Sequence, residues 1–138
     1  MEYHEPRAYS HEEVENIMQT GKGMELNYML VGVAYNEPDF CYAFNIVKKY
    51  CFDSNISLQR LAIECISDLA RIHGFLPIEE AKQLFSNIIE GKTGSELVIM
   101  GHMYDVLGDL SIYAPEIYKS IRVKYPAYCK AIGFEDEI

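Results

Sequence analysis

The sequence predicts an all-α protein built as a stack of antiparallel helix pairs, with about seven helices in all. Three observations carry this. The stretch from Ser57 to Gly74 reads as one helix with both ends written in, and its Ile66-Ser-Asp-Leu69 core returns further on as Leu107-Gly-Asp-Leu110. The punctuation is periodic as well: Pro38, Pro77 and Pro115 are almost evenly spaced, and Ser57 and Ser95 stand apart by the same interval as Pro77 and Pro115. Finally, no segment reads as a strand, because the β-branched residues are scattered and no two-residue hairpin turn separates alternating runs. Helix pairs recurring at roughly 40 residues match the HEAT/armadillo class, a right-handed stack. One such pair cannot bury its apolar face alone, so neighbours must pack together.

Each element has its own signals. His11 to Thr20 is a short polar helix ended by Gly21-Lys-Gly23. Met24 to about Tyr35 is the second, with Leu26, Met29, Leu30, Val33 and Ala34 at helical spacing. Pro38 opens the third, since proline's missing N–H is harmless in a first turn, and Asp39 suits the positive end. That helix runs to about Phe52 and stops at Asp53-Ser-Asn55. Ser57 caps the fourth, whose apolar stripe runs from Leu58 through Leu61, Ala62, Cys65, Ile66 and Leu69 to Ile72. Arg71 and His73 suit its negative end, and Gly74 is the left-handed stop.

Pro77 opens the fifth helix, with Glu79 and Glu80 in its first turn and Gly91 at its end. Gly91-Lys-Thr-Gly94 lacks the upstream glycine and preceding strand of a phosphate loop, so it reads as a helix–helix turn. Ser95 caps the sixth helix, which runs to about Ile112. Pro115 opens the seventh, and Pro126 bends or splits it. The tail Glu135-Asp-Glu-Ile138 is expected to fray. The organisation expected is a single domain over 1–138, with three helix pairs in 11–113 and a C-terminal capping helix over 115–132. The turn signals recur at about 38 and the helix motif at about 41, and both registers remain open.

Composition narrows the function. Hydrophobic residues make up 49% of 138, enough for a buried core. No apolar run approaches the ~20 residues that span a bilayer. The start, Met1-Glu-Tyr-His-Glu-Pro6, is polar and acidic rather than basic and apolar, so no secretory signal is expected and the cytoplasm is the expected location. The four cysteines, Cys41, Cys51, Cys65 and Cys129, form no Cys-x-x-Cys pair and read as buried free thiols rather than zinc ligands. Twenty-one acidic residues against twelve basic ones give a net charge of -9. That field repels nucleic acid and favours a basic partner. Lys119, Arg122, Lys124 and Lys130 make the last helix locally positive, a thin exception. Eleven tyrosines and no tryptophan suggest amphipathic contact residues.

The candidate site residues lie on the second helices of successive pairs, which line one face of such a stack. Glu64 and Asp68 are four apart on the fourth helix, and Asp105 and Asp109 four apart on the sixth. Arg60 and Arg71 are placed to neutralise the first pair, whereas Asp105 and Asp109 have no basic neighbour on their helix. His102 falls three before Asp105, and Tyr104 stands beside it. These six, Glu64, Asp68, His102, Tyr104, Asp105 and Asp109, are the expected partner-binding residues. A solvated acidic face is the competing reading. His102, Asp105 and Asp109 share a helix face, but no second His–Asp element supports a metal or acid–base site. No Gly-x-Ser-x-Gly, Walker loop or dinucleotide fingerprint is present. Neither enzymatic activity nor a cofactor or metal is expected.

The run Leu61-Ala-Ile-Glu-Cys-Ile-Ser-Asp-Leu-Ala-Arg-Ile-His-Gly74, followed by Asp105-Val-Leu-Gly-Asp-Leu-Ser-Ile112, resembles a group of small bacterial HEAT-like helical proteins. The segment from Leu30 to Val47, around Ala34-Tyr-Asn-Glu-Pro-Asp39, fits the same pattern. The resemblance covers roughly residues 12 to 113 and includes no motif that identifies a reaction. In one departure, the glycine usual before the His or Asp of the fourth helix is Ser67 here. Some of these proteins are immunity proteins of contact-dependent growth inhibition systems. The resemblance therefore implies an antitoxin that binds the C-terminal domain of one cognate toxin, one to one, and blocks it. That toxin is expected to be a basic nuclease, with neither nucleic acid nor membrane as a direct partner. The alternatives are a general HEAT-repeat interaction adaptor with no toxin partner and a metal-dependent hydrolase using His102, Asp105 and Asp109.

Overall fold

The structure, a computed structural model, describes residues 5–91 and 96–135, and over 96–100 the helical backbone alone. Among the described residues there are eight helices and no strand: α1 (His11–Thr20), α2 (Glu25–Asn36), α3 (Phe40–Tyr50), α4 (Ile56–His73), α5 (Ile78–Ile89), α6 (Glu96–Tyr113), α7 (Pro115–Lys124) and α8 (Pro126–Ile132). The Ser95 cap, the Lys92-Thr-Gly94 part of the turn and residues 136–138 of the tail lie outside the described residues.

Local chemistry explains most of the boundaries. A capping box opens α1, in which the Ser10 hydroxyl accepts from Glu13 N while the Glu13 carboxylate accepts from Ser10 N. Gly74 closes α4 in the left-handed region at φ 82°, its N–H donating to Ala70 O at 2.9 Å. Pro115 occupies the first turn of α7, as its spacing predicts.

Three starts differ from expectation. Asn55, not Ser57, caps α4, because its extended backbone brings the side-chain oxygen to Leu58 N at 3.1 Å. Ser57 is then already helical. Asp39, not Pro38, starts α3, accepting from Tyr42 N at 3.2 Å. Pro77 sits at the cap position of α5 rather than inside it. At its other end α3 is shorter than expected, since Cys51 tightens into a turn with its N–H on Lys48 O. Buried Gln59 then donates to the freed Cys51 carbonyl at 3.0 Å. Pro126 splits the expected capping helix outright into α7 and α8, because its ring and missing N–H break the hydrogen-bond ladder at Tyr125. That split makes the helices eight rather than seven among the described residues.

The stack is assembled by α2, α4 and α6, which lie side by side, α4 touching both of the others. α1 packs on α2, α3 on α2 and α4, α7 on α5 and α6, and α8 on α6 and α7. The buried side chains form one continuous cluster from Val14 to Cys129, with Met29, Leu30, Ile63, Ile66, Leu69, Phe85, Met103, Leu107 and Leu110 among those fully enclosed. Cys51, Cys65 and Cys129 are buried free thiols, as expected, whereas Cys41 is exposed. Gly32 marks a close approach: a Cβ there would meet Arg7 O at 2.4 Å and the Tyr9 ring at 2.5 Å. The N-terminal segment thus crosses α2 directly at a residue without a side chain.

Candidate interaction surface

A ridge of polar side chains runs across the solvent-facing edges of α2, α4 and α6. On α4, Glu64 and Asp68 stand one turn apart, and Arg71 follows. The Arg71 guanidinium donates to Asp68 Oδ1 at 3.3 Å and to the Tyr35 hydroxyl of α2 at 3.3 Å, and lies 5.5 Å from the Tyr35 ring centre. Arg71 therefore ties the second helix to the fourth. The fourth is tied to the sixth by two contacts. His102 Nδ1 lies 2.7 Å from Glu64 Oε1, and the Ser67 hydroxyl approaches Asp109 Oδ2 at 3.4 Å.

These contacts settle which charges are compensated. Arg71 pairs with Asp68, as the spacing suggests. Glu64 takes His102 from the next helix, whereas Arg60 makes no ion pair among the described residues. Ser67 has one proton, and its bond to Glu64 O at 2.8 Å is much shorter than its approach to Asp109. The carbonyl is thus the stronger acceptor, and the exposed Asp109 carboxylate has the weaker share of the hydroxyl and no ion pair among the described residues. Asp105 is exposed with no ion pair among the described residues. Burial raises the Asp68 carboxyl above its ordinary range; Arg71 opposes this, and the Asp109 and Glu64 charges add to it. Asp68, Glu64 and Asp109 thus share one field across two helices.

The six expected residues do not all come together. Glu64, Asp68, His102 and Asp109 do, with Asp105 on the same face of α6. Tyr104 does not. At about 100° per residue it points roughly 140° away from Asp109. Its ring packs on Phe134 at 4.8 Å and against Gly133, in a corner where Arg122 stacks beneath Phe134 and donates to Tyr118 Oη at 2.9 Å. Sequence reasoning misses Tyr35. Its place is decided by the lateral pairing of α2 with α4, and only its helical position beside the Asn36-Glu-Pro-Asp39 turn hints at exposure. The lateral hydrogen bonds between α4 and α6 join residues 38 and 42 apart. Those offsets bracket both repeat registers.

The locally basic end of the chain is broken up. Arg122 is buried in the Tyr118–Phe134 corner, and Lys124 reaches Ser86 Oγ at 3.5 Å beside the Tyr125 ring. Among the described residues no three His, Cys, Asp or Glu side chains are grouped to hold a metal ion. None of the helices there is long and apolar enough to cross a membrane.

No family model matches the chain, nor does any curated protein. Among solved structures it is similar to one chain in the crystal structure of a CDI complex from Cupriavidus taiwanensis LMG 19424. The two are 29% identical with a TM-score of 0.66, over 83% of this chain and 98% of that one. This chain resembles a CDI component. The likeness to the CDI component spans nearly all of that protein, so it concerns the whole stack rather than one helix pair. It also agrees with the HEAT-like, immunity-protein resemblance that the Leu61–Gly74 and Asp105–Ile112 runs carry.

Proposed function

We propose that this chain is an immunity protein of a contact-dependent growth inhibition system, which binds the C-terminal domain of a cognate toxin and blocks it. The observation that carries this is the likeness to a CDI component over almost that component's full length. The ridge supplies the physical means. Glu64, Asp68, Asp105 and Asp109 form an acidic surface on α4 and α6, with His102 inside it, while Tyr104 turns away toward Phe134. A nuclease toxin needs a basic groove for its own substrate, and an acidic ridge is complementary to such a groove. Steering by the net charge of -9 speeds the encounter, and the effect weakens with salt. Inhibition by occupancy needs no chemistry from the immunity protein, so the chain acts as a binder rather than an enzyme. The partner on this reading is a basic nuclease domain, bound one to one in the cytoplasm.

The test is co-expression with the C-terminal domain encoded by the adjacent upstream reading frame. The wild-type chain should restore growth and co-purify with that domain. Asp105→Lys combined with Asp109→Lys should abolish protection while leaving the helical circular dichroism unchanged. Full protection by the double variant would remove the ridge from the interface. Failure of the wild-type chain to bind the adjacent product would overturn the toxin reading.

A further inference from the structure

Long-range charge mainly sets the rate at which two proteins meet, whereas side chains seated in desolvated pockets hold the complex together. The acidic ridge supplies the first and ends beside a place for the second. Glu64 meets His102 and Ser67 approaches Asp109, so α4 and α6 run the same way, joined by residues 38 and 42 apart. The interval between Ile72 and Ile112 lies midway between those two, which sets these isoleucines level at the end of the ridge. Each follows an acidic residue of the ridge by one turn, Ile72 after Asp68 and Ile112 after Asp109. They are 38% and 69% exposed, although Leu69, Leu107 and Leu110 of the same helices are fully enclosed.

Immediately beyond them in the chain, the α4–α5 and α6–α7 turns border a groove of about 250 Å³. Leu76, Ala114 and Ile117 form its buried floor, with Phe75 and Ile78 on one side and Tyr113 on the other. Phe75 rests against the Phe40 ring at 4.4 Å, which fixes that wall, and is still 50% exposed. Pockets that enclose small-molecule ligands hold roughly 300–1,000 Å³. This groove is smaller, and its side chains are apolar apart from Glu116 and the Tyr113 hydroxyl, so it suits an apolar side chain rather than a cofactor.

The charges around the groove narrow its occupant further. Glu116 lines it, and Asp105 and Asp109 precede it on α6; all three are exposed with no ion pair among the described residues. Neither the lining nor the last turn of α6 holds a basic residue. An anionic lipid surface is repelled by these carboxylates, and a second copy of this chain by its own net charge of -9. An apolar side chain with positive charge beside it fits both the groove and its rim.

We infer that the groove between the α4–α5 and α6–α7 turns, extended by Ile72 and Ile112, is the anchoring part of the docking surface, and that it takes an apolar side chain which the toxin domain presents next to a lysine or arginine. The inference rests on the toxin reading above and deepens it by naming where the complex is held. The basic neighbour is drawn to Asp109 and Glu116, while the apolar side chain displaces water from Ile78, Ile112 and Tyr113.

The test uses the full-length chain and the C-terminal domain encoded immediately upstream, with association and dissociation followed separately. Ile78→Ser with Ile112→Ser alters no charge, so association and its salt dependence should stay as in the wild type while dissociation quickens roughly thirtyfold. Ile112→Ser alone, at a side chain too exposed to support the fold, should dissociate about fivefold faster. Val123→Ser, at a residue 73% exposed and outside the groove, should stay within about twofold of wild type. If the wild-type complex forms and neither groove variant dissociates faster, the inference is overturned and the toxin reading survives. Equal damage from Val123→Ser would also overturn it, because the effect would then not belong to the groove. If the wild-type chain by itself forms a dimer that Ile112→Ser dissociates, a second copy occupies the groove and the inference is again wrong. If the wild-type chain forms no complex, both readings fall together.

Discussion

Gly32→Ala is expected to destabilise the protein, although helix propensity alone says the opposite. In a helix interior alanine is favoured over glycine by about 1 kcal/mol. At this position, however, the new Cβ would lie 2.4 Å from the Arg7 carbonyl oxygen and 2.5 and 2.8 Å from two carbons of the Tyr9 ring. Ordinary contact is near 3.5 Å, so the overlap is about 1 Å. The first obstacle is backbone and cannot rotate away. The segment through Arg7 and Tyr9 must lift as a unit, yet it is held by the Arg7–Glu13 ion pair, by Arg7 stacked on the Tyr9 ring at 3.6 Å and by the Ser10 capping box. Overpacking costs about 1–3 kcal/mol, and a backbone obstacle puts this case at about 2–3 kcal/mol. Subtracting the propensity gain leaves a net loss of about 1–2 kcal/mol, a fall in Tm of roughly 3–8 °C for a chain of this size. Thermal unfolding followed by circular dichroism measures it. The diagnostic control is the same substitution in a chain lacking residues 1–9, where the obstacle is gone and alanine should stabilise by about 1 kcal/mol. A higher Tm for Gly32→Ala in the full-length chain would refute the reasoning, because it would mean the segment does not press on α2.

The ridge and the core each give a further expected outcome. Asp68 has its carboxyl raised by burial and by the neighbouring carboxylates, so the folded chain binds that proton more tightly than the unfolded one. The resulting stability is fully present below the ordinary aspartate range and is lost as pH rises through the raised folded value, which leaves ionised Asp68 a small liability at neutral pH. Asp68→Asn should therefore unfold at higher urea at pH 7, by about 0.5 kcal/mol, with the gain vanishing near pH 4; a less stable variant at pH 7 would sink the argument. The cysteines give a chemical readout of the core. Burial pushes the Cys51, Cys65 and Cys129 thiols up and hides them, whereas Cys41 is exposed. A maleimide should label one thiol quickly in the native protein and all four in denaturant, and two fast native thiols would contradict the packing described.

The sequence carried the helix inventory well where a signal acts within one turn. Gly74 and Pro115 act through their own backbone, so their roles were legible from residue type and position. Caps were less legible, because several residues compete within a few positions. Asp53, Ser54, Asn55 and Ser57 all can cap α4, and the choice falls to Asn55, the one whose oxygen reaches Leu58 N. The acidic ridge was partly legible, since Glu64 with Asp68 and Asp105 with Asp109 announce shared helix faces. The partners across helices were not. Nothing in the spacing says that Glu64 prefers His102 over Arg60, which sits one turn away on its own helix. Nor does it say that Tyr104 turns toward Phe134.

The sequence by itself determined what short-range physics determines: an all-helical chain, the recurrence of its helix pairs, its excess of negative charge and the helix faces that carry it. Each of these follows from hydrogen bonds, caps and apolar stripes set by close neighbours in the chain, or from a simple sum of charges. Only the tertiary structure decided which charges remain uncompensated and which tyrosines stand beside them. Those outcomes depend on how α2, α4 and α6 register side by side. A lateral shift of one turn would exchange His102, Asp105 and Asp109 as neighbours of Glu64 while leaving every local signal intact.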